Sequence, residues 1–94
     1  MSESFDAYYA WLGIPPQEQP PTYYRLLGLE PPEDDPAVIA AAVDRRVGSL
    51  HAYRSGSLAG VARRLLDEVA DAKACLLDPT RKAAYDAGLR ESAL

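Results

Sequence analysis

The chain has 94 residues, is 48% hydrophobic and 26% charged, and carries a net charge of −4, which suits one ordinary globular domain with a modest core. The acidic balance argues against general nucleic-acid binding, and no apolar run approaches the roughly 20 residues of a membrane span. The single cysteine, Cys75, excludes an internal disulfide and a cysteine-built metal site; with a start, MSESFDAYY, that lacks a basic-then-apolar leader pattern, it predicts a reduced, cytoplasmic setting.

Charge and proline are both unevenly spread. Residues 1–35 hold seven acids and one base, Arg25, whereas residues 36–94 hold seven acids and nine bases. Seven of the eight prolines lie between residues 15 and 36, so the first third is punctuated and the remainder has room for long helices. The first third also echoes itself: YYAWLGIPP (8–16) and YYRLLGLEPP (23–32) each read as a short helix closed by glycine and blocked by proline. The stretch PPQEQPP joins them as a loop.

Asp35-Pro36 predicts a helix cap followed by proline at the first helical position. From there Ile39, Ala42, Val43, Val47 and Leu50 recur at helical spacing, with Arg46 as an irregularity on the same face. RSGS (54–57) breaks this helix, and Ser55 or Ser57 is expected to cap the next one. That next helix has the cleanest stripe in the chain: Leu58, Val61, Ala62, Leu65, Val69, Ala72 and Leu76. Its outer face carries Arg63, Arg64, Asp67, Asp71 and Lys73. Asp78-Pro79 repeats the cap-and-proline signal and opens a final, more polar helix with Ala84, Tyr85 and Leu89 expected inward. No segment alternates polar and apolar residues over a strand length. The expectation is an all-α fold in which two long antiparallel helices bury their stripes against each other.

Chemistry-bearing residues are sparse. His51, the only histidine, has no His or Cys companion for a metal and no nucleophile turn, although Ser49 and Ser55 are near in sequence. It is expected to be a half-exposed side chain at a helix end. Cys75 is expected to be a small packed residue. Arg45, Arg46, Arg54, Arg63 and Arg64 read either as solvated helix arginines or as a patch for an acidic partner. Phe5, Tyr8, Tyr9 and Trp11 are expected to pack on their own domain, with Trp11 and Ile14 covering an apolar edge. The acids of EPPEDDP lack calcium-loop spacing and are expected to be solvated, helping to cap the following helix.

Two segments carry a resemblance. YYRLLGL (23–29) resembles the opening of a J-domain, the DnaJ-type co-chaperone module. DAKACLLDPTRKAAYD (71–86) resembles its end, with Ala72, Leu76, Asp78, Pro79, Lys82, Tyr85 and Asp86 matching the family pattern and Tyr23, Tyr24, Leu27 and Gly28 matching the opening. The resemblance covers about residues 22–89 and leaves residues 1–21 outside as a short helix and Pro-rich linker packed on the domain of residues 22–94. It implies a small helical bundle with short flanking helices. In that family the second helix is basic and ends in a His-Pro-Asp loop that engages a DnaK-type chaperone and stimulates its ATP hydrolysis. Ile39 stands twelve residues before His51, as the family's leading apolar residue does before its histidine. His51 therefore falls on the signature histidine, but Ala52 and Tyr53 replace the proline and the aspartate, and a phenol supplies no carboxylate charge near neutral pH.

The expectation is thus a non-catalytic, J-domain-like protein–protein interaction module with a degraded chaperone-activating loop, the N-terminal domain of a larger intracellular protein. The alternative is a functional co-chaperone of a DnaK-type ATPase. No enzyme activity, cofactor, metal, nucleic acid or membrane is expected. The partner-binding candidates are Arg45, His51, Tyr53 and Arg54, and the degraded loop is His51, Ala52 and Tyr53.

Overall fold

The computed structural model describes residues 5–93; residues 1–4 at the head of the first segment and residue 94 at the end of the second lie outside them. Among the described residues the protein is all-helical, with no strand: α1 (Ala7–Leu12), α2 (Tyr23–Leu26), α3 (Pro36–His51), α4 (Ala59–Leu76) and α5 (Pro79–Ser92). No helix among them is long and apolar enough to cross a membrane.

The local signals act as elementary chemistry dictates. Asp35 accepts from the Ala37 N–H and Asp78 from the N–H groups of Thr80 and Arg81, each with proline at the next position, where its missing N–H costs nothing. Asp6 caps α1 through Tyr9, and Thr22 caps α2 through Arg25. The two echoing segments close alike. Gly13 and Gly28 both turn left-handed, at φ 70° and 76°, and the residue after each reaches back to a tyrosine carbonyl, Ile14 to Tyr8 and Leu29 to Tyr24.

Three expectations are corrected. Neither Ser55 nor Ser57 caps α4: the chain passes through bends at 54–56, the N-cap position falls on Leu58, and no side chain caps there. The stretch PPQEQPP is not a plain loop but contains a 3-10 turn, Pro16–Glu18, and Gln19 beyond it donates to the Asp6 carboxylate and the Ile14 carbonyl. Ala84 is exposed; α5 instead turns Lys82, Tyr85, Asp86 and Leu89 inward, and none of its residues is fully buried.

The core lies between α3 and α4. Ile39, Ala42, Val43 and Leu50 of α3 and Ala62, Leu65, Val69, Ala72 and Leu76 of α4 are buried, and nearly all of them belong to one apolar cluster, with Val47 and Val61 partly buried against it. Each fully buried Leu or Val contributes roughly 1.5–3 kcal/mol. Tyr24, Leu26 and Leu27 of the α2 region, and Ala7, Leu12 and Ile14 around α1, extend the same cluster, so the N-terminal segment is part of the core rather than an appendage. Cys75 is buried beside the stripe, 3.8 Å from the Arg81 carbonyl, and burial pushes its thiol up.

Arg46 resolves the irregular position in α3. Half-buried, its guanidinium reaches α2 and donates from Nε to the Leu26 carbonyl at 2.8 Å, satisfying a group that a four-residue helix leaves open. Desolvation first, then Arg25 and Arg45, lower its pKa. A Cβ at Gly28 would sit 3.1 Å from Arg46 Nη2. Gly28→Ala therefore destabilises the protein by about 1–2 kcal/mol, from the left-handed backbone and the crowded arginine together. Gly48→Ala, inside α3 with open space around it, stabilises by about 0.5–1 kcal/mol. Urea unfolding of the two variants distinguishes them by sign.

Candidate functional site

Two features gather the residues singled out from sequence: a polar joint between the segments 23–29 and 71–86, and the loop between α3 and α4.

At the joint, the Asp86 carboxylate accepts from the Tyr24 hydroxyl on one oxygen and from Lys82 Nζ at 2.9 Å on the other. Lys82 also donates to Asp34 at 2.8 Å, in the acidic loop before α3, and lies 5.7 Å from the Tyr24 ring centroid. The Tyr23 N–H donates to the Tyr85 hydroxyl at 2.8 Å, and the two rings stack at 4.7 Å. Leu27, Ala72 and Leu76 pack in the adjoining core, Asp78 and Pro79 open α5, and Gly28 turns the chain away after α2. Burial alone would raise the Asp86 pKa, but the Tyr24 hydrogen bond and Lys82 outweigh it and leave it below its ordinary value. Tyr24 is pushed up to about 12, first by burial and then by its bond to Asp86. The hydrogen bond to Asp34, ahead of the opposing cost of burial, raises Lys82. This arrangement keeps three groups in fixed charge states. It is suited to holding helices together rather than to moving protons near neutral pH.

At the loop, His51 is the last residue of α3 and is exposed; Ala52 follows in a right-handed turn conformation, and the Tyr53 and Arg54 N–H groups bond back to the Leu50 and His51 carbonyls. Arg45 and Arg54 are exposed. Among the described residues the ion pairs are Arg25–Glu18, Lys82–Asp34 and Lys82–Asp86, so neither arginine is neutralised that way. Tyr53 is 39% exposed, and its ring stacks on Trp11 of α1 at 4.0 Å and 13°. Phe5 meets Trp11 edge-on at 5.2 Å. Tyr8, three residues before Trp11, donates to Glu68 of α4, and burial followed by that bond pushes it up to about 12.

The structure therefore brings Tyr53 together with Trp11, while Arg45 and Arg54 are exposed and the His51 side chain contacts no partner group through a hydrogen bond or ion pair among the described residues. Ser49 and Ser55 are exposed and build no nucleophile with His51. No group of three His, Cys, Asp or Glu side chains among the described residues has the geometry to hold a metal. The Trp11–Tyr53 stack and the Tyr8–Glu68 bond have no counterpart in the sequence pattern, since they join positions 42 and 60 residues apart that share no local spacing. No family model, curated protein or solved structure matches the chain.

Asp86→Asn should cost about 1.5–3 kcal/mol at pH 7, the worth of hydrogen bonds to a charged group. Because the folded-state pKa lies below the unfolded value, the wild-type advantage is complete above the ordinary value of 3.8 and is lost as pH falls through the folded value. Chemical denaturation of both proteins between pH 7 and pH 2 measures the convergence. Trp11 is the only tryptophan. Removing the stacked ring by Tyr53→Ala should shift its emission to the red and destabilise the fold by about 0.5–1.5 kcal/mol; an unchanged spectrum would show that the stack does not form in solution.

Proposed function

We propose that this chain is a non-catalytic protein–protein interaction module of J-domain type in which the chaperone-activating loop no longer works. The single observation that carries the reading is the Trp11–Tyr53 stack. At the third loop position, where an activating loop needs a carboxylate free to meet a basic partner, this chain has an aromatic ring held by its own N-terminal helix.

The rest of the site supports the family half of the proposal. The two segments that carry the resemblance meet through Tyr24, Lys82, Tyr85 and Asp86, so the matching residues serve one joint. A short α2, long α3 and α4 and a polar α5 agree with a J-domain layout in which the long helices run antiparallel. The partner in this reading is another protein, met in the cytoplasm. One observation favours the rival reading of a working co-chaperone: His51 stands exposed at the end of α3, open to a DnaK-type partner.

The ATPase rate of the DnaK-type chaperone from the same organism decides between the two. Wild-type protein should leave the basal rate unchanged, and Ala52→Pro with Tyr53→Asp should raise it. Several-fold stimulation by the wild type would establish the co-chaperone instead. A double variant that is silent yet fully helical by circular dichroism would remove the support for the J-domain half.

A further inference from the structure

From Arg45 to Leu66 the chain has five arginines and no acid, while the remainder sets five basic residues against fourteen acids. The end of α3, the connecting loop and the start of α4 are thus the positive pole of an acidic protein. Not all of that charge is available outside. Arg46 is engaged by the Leu26 carbonyl, while Arg64, though exposed, opposes the rise of the Tyr8 pKa beside the Tyr8–Glu68 bond. Arg54 and Arg63, both exposed, line one groove together with Ser55, Leu66 and Asp67, and neither has an ion-pair partner among the described residues. Next to Arg54 in the chain is Tyr53, whose ring stacks on Trp11; Phe5, 46% exposed, meets that same Trp11 edge-on.

Tryptophan, tyrosine and arginine are the residue types that dominate binding energy at protein interfaces, and an exposed aromatic step beside unneutralised charge combines them. We infer that this surface docks an acidic peptide segment carrying an aromatic or large apolar side chain, with Arg54 and Arg63 meeting its carboxylates and the Phe5–Trp11–Tyr53 step taking its apolar side chain. The inference rests on the interaction-module reading only in that the chain works by binding; it needs no family likeness. A short acidic segment is favoured over a nucleic acid by range. Screening limits each charge to about 8–10 Å at physiological salt, so a peptide of a few carboxylates feels the local arginines. A long polyanion spans the fourteen acids as well and is repelled.

The test titrates a synthetic decapeptide of Asp and Glu with one central Phe into the full chain, following Trp11 emission and backbone amide shifts. A saturable change is expected, centred on the amides of Tyr53, Arg54 and Arg63, weakening as salt rises. Arg54→Glu with Arg63→Glu should reduce affinity at least tenfold while circular dichroism stays unchanged, since both side chains are exposed. Shifts centred elsewhere, no saturation, or full affinity in the double variant overturns the inference. Tighter binding of a single-stranded RNA decamer to the same residues replaces it with a nucleic-acid site. Self-association that the double variant abolishes replaces it with a second copy of the chain. The chaperone assay is independent of all these outcomes, so failure here leaves that reading standing, and the reverse.

Discussion

Every strongly contacting pair of helices in this protein includes α4. Its buried stripe alternates bulk with small residues, Leu65, Val69 and Leu76 with Ala62 and Ala72, all at most 2% exposed. The alanines let neighbouring backbones approach, and the larger side chains interlock with what arrives. α3 answers with a full stripe of its own. α2 and α5 cannot. A four-residue helix is far below the length that is stable alone, and α5 buries none of its residues completely. They are kept on α4 by side chains that need both: Tyr24 is fully buried, and its hydroxyl ends on Asp86 of α5. Partly burying that carboxylate is tolerable because the tyrosine and Lys82 satisfy it, so the polar joint specifies where the short elements sit while the apolar seam supplies most of the energy.

The same division explains what can be read from sequence. The stripes of α3 and α4, the Asp-Pro openings of α3 and α5, and the glycine closures of the two short helices are local patterns, set by spacing within one element, and they are legible. What fails is local evidence for non-local choices. Two serines in the connecting loop cannot reveal that the N-cap position will fall on Leu58 instead. Ala84 looks inward by hydrophobicity alone, but Lys82, Tyr85 and Asp86 take that face because Tyr23 and Tyr24 wait there with matching groups. Arg46 is visible as an irregularity; its reason is not, because the open carbonyl it serves lies twenty residues earlier. At the loop, Ala52 and Tyr53 can be seen in the sequence, whereas the tryptophan that stacks on Tyr53 from 42 residues away cannot.

Whether α1 acts as a removable cover over that loop is a question of magnitudes. Alone, a six-residue helix would not form, so its order is borrowed from docking. The docking is substantial: Leu12 and Ile14 are 7% and 0% exposed, and each such side chain is worth roughly 1.5–3 kcal/mol, before the Tyr8–Glu68 bond and the Trp11 stack are counted. Lifting α1 would therefore consume a large share of the roughly 5–15 kcal/mol by which a domain is stable at all. α1 stays down. It follows that the aromatic face beside Arg54 is a standing surface, not one exposed by a switch. A partner meeting it in the proposed docking would find the stacked rings already ordered, leaving mainly the Arg54 and Arg63 side chains to be fixed. In the proposed docking, that pre-ordering of the rings would lower the entropic cost for a surface of only a few residues.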